Sequence, residues 1–205
     1  MRPVAVLDMD TRSPEAEFGP HLADRLVRVD CYDLGDAAPL AEYAGLVVPP
    51  MVDQEHLAAR AAAVRRYLDR GGVVVFGGQL HRPWLPGAVP FVALEVRSHH
   101  DYEVAWIAEH PVFAGVAPDD LTYRRGVAGF FARGHHPVPA GADVLVRLVG
   151  GQPVTYVDRV STGGTILVQA SSHLLSYDND ETPDGRIAGQ LLDWITTEAA
   201  SRSPR

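Results

Sequence analysis

The chain has 205 residues, a formal net charge of −8 at pH 7 and one cysteine, and all 18 of its cationic residues are arginine. The lone cysteine excludes an intrachain disulfide and a cysteine-rich metal site, and the lack of lysine excludes Schiff-base chemistry, pyridoxal phosphate attachment and a P-loop lysine. Negative charge without a basic cluster argues against nucleic-acid binding, and because no run of eighteen apolar residues predicts a membrane span, we expect a soluble, cytoplasmic protein.

The first 78 residues alternate strand and helix patterns. Strands are predicted at 3–10, 26–34, 43–50 and 73–78, and helices at 13–25 and 54–69. Ser13 is the expected N-cap of the first helix, which Gly19 and Pro20 interrupt, and Asp53 is the expected N-cap of the second. Gly71 supplies the C-terminal stop of that helix. Short connections between these elements predict parallel strands joined by right-handed crossovers, which is a flavodoxin-like α/β sheet.

Ligands of such sheets bind at the carboxyl ends of the strands. The residues predicted at that edge are Asp8, Asp10, Pro49, Pro50, Gly77, Gly78 and Gln79. The stretch "GGVVVFGGQLHRPW" (71–84) has the strand and sharp glycine turn of a nucleophile elbow, but it contains no Cys, Ser or Thr. We expect the glycines to let backbone N–H groups approach a ligand.

The side chains after the glycine turn are the first that could touch such a ligand. Gln79 and His81 come first, and His81, Arg82 and Trp84 together offer a cation and an aromatic surface for an anionic or sugar-like ligand. Trp84 could equally be a hydrophobic lid over the pocket or an interface residue. Cys31, in the second predicted strand, is expected to be a small buried filler.

The second half of the chain is rich in β patterns. Runs at 90–98, 121–134, 142–151, 153–160 and 163–171, separated by Gly and Pro turns, predict additional antiparallel or edge strands. Hairpin connections are predicted at 149–153 and 162–164. A last helix has Thr182 as its expected cap and Pro183 at its first position.

Two groups of residues that contain histidine are candidates for a catalytic or metal-binding role. His173 follows the last long strand and should lie at the mouth of the carboxyl edge. Asp178 and Asp180 follow it in "SYDND", which either folds back to orient the imidazole or bind a cation, or is a polar turn before the last helix.

The second cluster is "RSHHDYE" (97–103). Adjacent histidines on a strand point to opposite faces, so His99 would pair with Asp101, or His100 with Glu103 through a turn. Together with His81 and His173 they would form a two- or three-histidine site for Zn²⁺ or another divalent metal, unless they are simply exposed loop residues. In "EHPVFAGV", His110 and Pro111 predict an extended turn, so we expect a structural role for His110. The stretch "RGHHPVP" is interpreted as a loop.

Four stretches, in this order, resemble the class I glutamine amidotransferase-like fold and within it the ThuA-like (trehalose-utilisation-like) branch. They are "YAGLVVPP", "VRRYLDRGGVVVFGG", "EHPVFAGV" and "GGTILVQASSHL" followed by "AGQLLDWI". The resemblance covers residues 4–197. The chain length predicts a single domain, which we place at 1–200, and the terminal stretch "SRSPR" (201–205) is expected to be a disordered tail.

The resemblance also implies where the active site would be. In true class I amidotransferases the turn after the fourth strand carries a Cys nucleophile, activated by a His on a later loop and an acidic residue beyond it. ThuA-like proteins typically lack that Cys and often have a His in the turn. This chain has Gly77, Gly78 and Gln79 there and departs from both patterns, and Cys31 belongs to a different strand. His173 stands at the position of the family's later His.

The resemblance therefore favours a pseudoenzyme: a ligand-binding or accessory protein without glutaminase activity. A second hypothesis is an enzyme that uses His173 with a carboxylate or metal on a carbohydrate-like or other small hydroxylated substrate. A third is a structural domain that dimerises or docks on a partner protein through Trp84, Trp106 or the pair Phe130 and Phe131. No cofactor is expected, although a divalent metal is possible, and the expected partner is a small-molecule ligand.

Overall fold

The computed structural model describes residues 2–9, 19–34, 40–124, 126–179 and 181–202. Its strands are β1 (Val4–Asp8), β2 (Leu26–Asp30), β3 (Gly45–Val48), β4 (Val73–Gly77), β5 (Val92–Ala93), β6 (Val104–Ile107), β7 (Gly134–His135), β8 (Asp143–Leu148), β9 (Pro153–Asp158) and β10 (Thr165–Gln169). Its α-helices are α1 (Pro20–Ala23), α2 (Gln54–Ala59), α3 (Ala61–Asp69), α4 (Pro118–Thr122) and α5 (Ile187–Arg202). Short 3₁₀ turns lie at Cys31–Asp33, Leu40–Glu42, His99–Tyr102, Pro111–Phe113, Leu174–Ser176 and Pro183–Arg186.

Within these residues, eight strands form one sheet in the order β2-β1-β3-β4-β10-β9-β8-β6. The strands from β2 to β10 are parallel, and β9, β8 and β6 extend the sheet in antiparallel pairs. Strands β5 and β7 form a separate antiparallel pair. The predicted flavodoxin-like sheet with extra antiparallel strands is confirmed, and both predicted hairpin connections join antiparallel strands.

The inner parallel strands β1, β3, β4 and β10 are buried on both faces, as their continuous apolar runs require, whereas the edge strand β2 is largely exposed. On one face, the side chains of Val47, Val73 and Val75 pack in a cluster with α5. On the other face, those of Leu46, Val74 and Phe76 pack with α2 and α3. Successive strand residues alternate between the two clusters because successive side chains of a strand point to opposite faces.

Capping explains where several elements begin and end. Asp53 accepts hydrogen bonds at Oδ1 from the backbone N–H groups of Glu55 and His56, each at 3.0 Å, and is the predicted N-cap of α2. The single helix predicted at 54–69 is instead divided into α2 and α3 at Arg60, which has non-helical torsion angles. Gly71 stops α3 with a φ of 86°, as predicted.

Strand β2 is shorter than predicted. Asp30 accepts a hydrogen bond from the N–H of Tyr32 at 2.8 Å, which starts a 3₁₀ turn at Cys31. Cys31 therefore lies after the strand and not within it. Its side chain is nevertheless fully buried, as expected of a small filler, and burial raises the pKa of the thiol to about 11.

The second half contains less strand than the sequence predicts. The run at 121–134 begins inside α4, because Pro118 starts that helix and the carboxylate of Asp120 accepts from the N–H of Ala117 at 2.7 Å. The run at 90–98 contributes only β5. Thr182 precedes a 3₁₀ turn without a side-chain cap bond, and α5 continues to Arg202, two residues into the predicted tail.

Several predicted features fall outside the described residues. These are the Ser13 cap and the site residue Asp10, and the last three positions of the predicted tail are likewise not described. Among the helices that the structure describes, none combines the length and apolar character needed to cross a bilayer.

Candidate functional site

The turn after β4 is closed by tight packing. An ideal Cβ atom built on Gly77 would lie 2.6 Å from the Cα atom and 3.0 Å from the backbone nitrogen of His173. Gly78 has a φ of 143°, and a Cβ atom there would lie 3.1 Å from the Cα atom of Pro50. The two glycines therefore allow two other chain segments to approach the turn, and the space beside Gly77 is filled by the backbone of His173.

Three backbone N–H groups in and after this turn are bonded within the protein. The N–H of Gly78 donates to the carbonyl of Gln169 at 2.9 Å, and that of Leu80 donates to Nε2 of His136 at 3.1 Å. The N–H of His81 donates to Oε1 of Gln54 at 2.9 Å. The expectation that the turn offers N–H groups to a ligand is wrong for these three residues, because each has an internal acceptor.

His173 is a neutral, weakly basic imidazole. Burial, together with the nearby Arg124 guanidinium, lowers its pKa to about 4. Its Nδ1 atom is buried, and no hydrogen-bond partner for it lies among the described residues. Asp178, which the sequence suggested as its partner, accepts at Oδ2 from the N–H of Gly19 at 2.6 Å. Asp180 lies outside the described residues.

A buried polar network lies beneath the turn, and the sequence reasoning missed it. Thr155 donates to Oε1 of Gln169, whose Nε2 donates to the carbonyl of Phe131 at 2.7 Å. His136 accepts from Leu80, and burial lowers its pKa to about 4. Polar residues on buried strands were the available signal for this network, because a buried polar group requires a partner.

Three other residues predicted at the carboxyl edge are Asp8, Gln79 and His81, and the structure does not bring them together in one site. Asp8 forms an ion pair with Arg28, with 2.9 Å between Oδ2 and Nη1, and also accepts from the N–H of Met9. Gln79 and His81 are exposed, and Nε2 of His81 lies 3.2 Å from Nε2 of Gln54. These side chains remain accessible beside the closed turn.

Trp84 is not a surface residue. It is only 1% exposed and packs edge-to-face on Phe76, with ring centroids 5.4 Å apart. Its predicted roles as an aromatic platform for a ligand or as a docking residue are therefore wrong, because the large apolar ring is used in the core. Phe131 is also buried, whereas Trp106 and Phe130 are exposed.

His99 and His100 do not lie on a strand. They begin a 3₁₀ turn in which Asp101 accepts from the N–H groups of Arg97 and Ser98 at 2.7 and 2.8 Å. Asp101 is thereby a capping residue and not a partner of His99. His100 is instead paired with Glu103, with 2.5 Å between Nδ1 and Oε1. This is the predicted alternative in which a turn brings His100 and Glu103 together.

The histidine turn lies at the same sheet edge as His173 but far along it. The turn precedes β6, whose first residue Val104 pairs with Leu148 at the end of β8. Strand β6 is four strands from β4 in the sheet. At about 4.8 Å per strand, the histidine turn therefore lies about 19 Å from the glycine turn after β4. Among the described residues, the metal-ligating group that forms is His99, His100 and Glu103, without His81 or His173.

An open cleft lies at the opposite edge of the sheet, beyond the end of β6. It has a volume of about 760 Å³ and is lined by residues of the 105–118 segment, among them Trp106, Glu109 and His110. A second depression of about 500 Å³ adjoins it and includes Asp143 and Arg159. The sequence did not predict this cleft, because its position depends on the antiparallel placement of β6 and β8.

His110 is a structural residue that also faces the cleft. Its Nδ1 accepts from the N–H of Val112 at 3.3 Å and caps the turn, and its ring packs on Trp194 with centroids 5.5 Å apart. Burial lowers the pKa of His110, and Arg159 contributes in the same direction. The predicted structural role of this histidine is confirmed, and its imidazole is neutral at pH 7.

Comparisons with known proteins give a fold and no family. No protein-family description matches the sequence, and a comparison with curated proteins gave no significant match. Among solved structures, a candidate GMP synthase component from Thermoplasma acidophilum superposes with a TM-score of 0.59 at 15% identity, covering 98% of this chain and 95% of that chain. The chain has a class I glutamine amidotransferase-like fold.

Two further structures with this similarity have lower scores. A glutamine amidotransferase from Methylobacillus flagellatus gives a TM-score of 0.43 at 14% identity, covering 99% of this chain and 90% of its own. An exo-β-1,4-mannosidase from Opitutaceae bacterium strain TAV5 gives 0.46 at 13% identity, covering 98% of this chain and 35% of its own. The superposition on the Thermoplasma acidophilum structure alone supports the predicted amidotransferase-like fold, and its 15% identity says nothing about activity.

Proposed function

We propose that this chain is a ThuA-like protein that has the amidotransferase fold, does not hydrolyse glutamine and binds a small molecule. The observation that carries the proposal is the packing at the turn after β4. Covalent catalysis needs a nucleophilic side chain next to a base. Gly77 has no side chain, and its Cβ position is blocked at 2.6 Å by the Cα atom of His173. The order of the four family-like stretches supports the ThuA-like assignment.

The surroundings of His173 support the same conclusion. A general base works best when its pKa is near the working pH, and burial holds the pKa of His173 at about 4. Among the residues that the structure describes, no carboxylate contacts its imidazole to orient it. The N–H groups of Gly78 and Leu80, which could otherwise stabilise an oxyanion, donate to Gln169 and His136.

The ligand-binding part of the proposal rests on the cleft beside β6. Its volume of about 760 Å³ is within the usual range for small-molecule sites. Trp106 is 46% exposed and offers an aromatic face, while His110 is neutral and Glu109 can accept hydrogen bonds. Arg159 is already paired with Glu198, at 2.8 Å between Nε and Oε1. This combination suits a small, uncharged, hydroxylated molecule such as a sugar.

The glutaminase part is tested by measuring ammonia release from L-glutamine. We expect none above background from the wild-type protein, and none from Gly77→Cys, since the introduced side chain has no room beside His173. Ammonia release by the wild-type protein that His173→Ala abolishes would overturn this part of the proposal.

The binding part is tested by calorimetric titration with a panel of neutral mono- and disaccharides. Trp106→Ala should weaken binding at least tenfold. Phe130→Ala is the matched control, because Phe130 is 47% exposed, close to the 46% of Trp106, and does not line the cleft. Equal effects of the two substitutions, or no binding by any sugar of the panel, would contradict the assignment.

A further inference from the structure

The 3₁₀ turn at His99–Tyr102 brings three potential metal ligands together, none of which lines the cleft. His99, His100 and Glu103 each offer one ligand atom, and these atoms lie within 4.8 Å of one another. The two imidazole rings lie with their centroids 4.0 Å apart. Both histidines are exposed and Glu103 is partly buried, so the group is open to solvent on one side.

The local backbone explains why these residues meet. A 3₁₀ turn has three residues per turn, so side chains at i and i+3 lie above one another, as His100 and Glu103 do. The turn itself is held by a capping box, in which Ser98 accepts from the N–H of His100 and Asp101 accepts from the N–H of Ser98. These bonds therefore hold the backbone from which the side chains of His99, His100 and Glu103 extend.

Tyr123 orients the carboxylate from outside the turn. Its hydroxyl donates to Oε1 of Glu103 at 2.9 Å, from the residue that follows α4. Metal-ligating groups in proteins are commonly held by such outer hydrogen bonds, whose removal costs about 10–100-fold in affinity. Tyr123 thus has the position of an orienting residue that would not itself bind the ion.

The donor set selects the class of ion. Two imidazoles and one carboxylate match Zn²⁺ and similar divalent transition metals, whereas Mg²⁺ and Ca²⁺ prefer oxygen ligands alone. Ligand atoms around a tetrahedral Zn²⁺ lie about 3.4 Å apart, given bonds of about 2.1 Å. Side-chain rotations that move atoms by about an ångström would widen the 2.5 Å contact between His100 and Glu103 and close the longer gaps, which are at most 4.8 Å, to this spacing.

We propose that His99, His100 and Glu103 form a binding site for Zn²⁺ or a chemically similar divalent transition metal, with Tyr123 as the positioning residue. Three protein ligands leave at least one coordination position open to water or another molecule. This site is separate from the cleft of the proposed function, and neither proposal depends on the other.

The experiment is titration of chelator-treated, dialysed full-length protein with ZnCl₂ in a calorimeter. We expect one Zn²⁺ per chain. His99→Ala, His100→Ala and Glu103→Gln should each weaken binding more than tenfold, and Tyr123→Phe should weaken it by about tenfold, the lower end of the range for outer hydrogen bonds. His81→Ala is the matched control, because His81 is also exposed but lies outside the group, and it should bind Zn²⁺ like the wild-type protein.

Two further measurements make the result decisive. Visible absorption of the Co²⁺-loaded protein should show low-symmetry nitrogen and oxygen coordination in the wild type and in His81→Ala, and lose it in His99→Ala and His100→Ala. Melting temperatures without metal should be unchanged in His81→Ala, His99→Ala and His100→Ala, since these three side chains are exposed. A stoichiometry below half an ion per chain, or binding as strong in His99→Ala and His100→Ala as in His81→Ala, would overturn the proposal.

Discussion

Replacing Gly77 by alanine should destabilise the protein, because the added methyl group has no room. Its Cβ atom would lie 2.6 Å from the Cα atom and 2.9 Å from the Cβ atom of His173. Overpacking of this kind costs about 1–3 kcal/mol. For a chain of this size the melting temperature should fall by about 2–12 °C, at about 2–4 °C per kcal/mol. Urea unfolding followed by tryptophan fluorescence measures the decrease in the free energy of unfolding directly. The dependence of that free energy on urea concentration should be unchanged.

The structure offers a matched control and a rescue test. Gly189 in α5 has no heavy atom within 4 Å of an added Cβ atom, so Gly189→Ala should leave stability unchanged or raise it by about 0.5–1 kcal/mol. Adding His173→Ala to Gly77→Ala should not restore stability, because alanine keeps both the Cα and the Cβ atoms that make the contact. A Gly77→Ala protein as stable as the wild type would show that His173 does not pack on the turn.

Three other predictions concern stability and reactivity. Because burial lowers the pKa of His136 to about 4, the unfolded chain binds a proton that the folded chain does not as the pH falls from 6.5 toward 4. The free energy of unfolding should therefore fall by about 2 kcal/mol from pH 7.5 to pH 5 because of His136. His136→Gln, which keeps an acceptor for the N–H of Leu80, should remove this decrease when urea titrations at the two pH values are compared. Asp53→Ala should lower the free energy of unfolding by about 1 kcal/mol through loss of the α2 cap, whereas Asp53→Asn should retain most of it; equal losses would contradict the capping role. Cys31, buried and with its pKa raised to about 11, should resist thiol reagents in the native protein over a period in which the urea-unfolded chain is fully labelled.

Local patterns in the sequence were sufficient for the parallel half of the fold. Continuous apolar runs predicted β1, β3 and β4, since strands buried on both faces carry no polar alternation. The Asp53 cap and the Gly71 stop were predicted from the side-chain and backbone chemistry of single residues. The lack of a nucleophile after β4 was visible directly in the sequence, and so was the pairing of His100 with Glu103 as one of two alternatives.

The tertiary structure decided which of these residues meet. Strand order cannot be inferred from a run of strand patterns, because pairing depends on contacts between distant segments. The antiparallel placement of β9, β8 and β6 carries His99 and His100 away from His173, and it creates the cleft beside Trp106. The turn at Gly77 looked open in the sequence, since glycine lacks a side chain. In the folded protein the backbone at His173 fills that space, because close packing brings in a segment almost one hundred residues away.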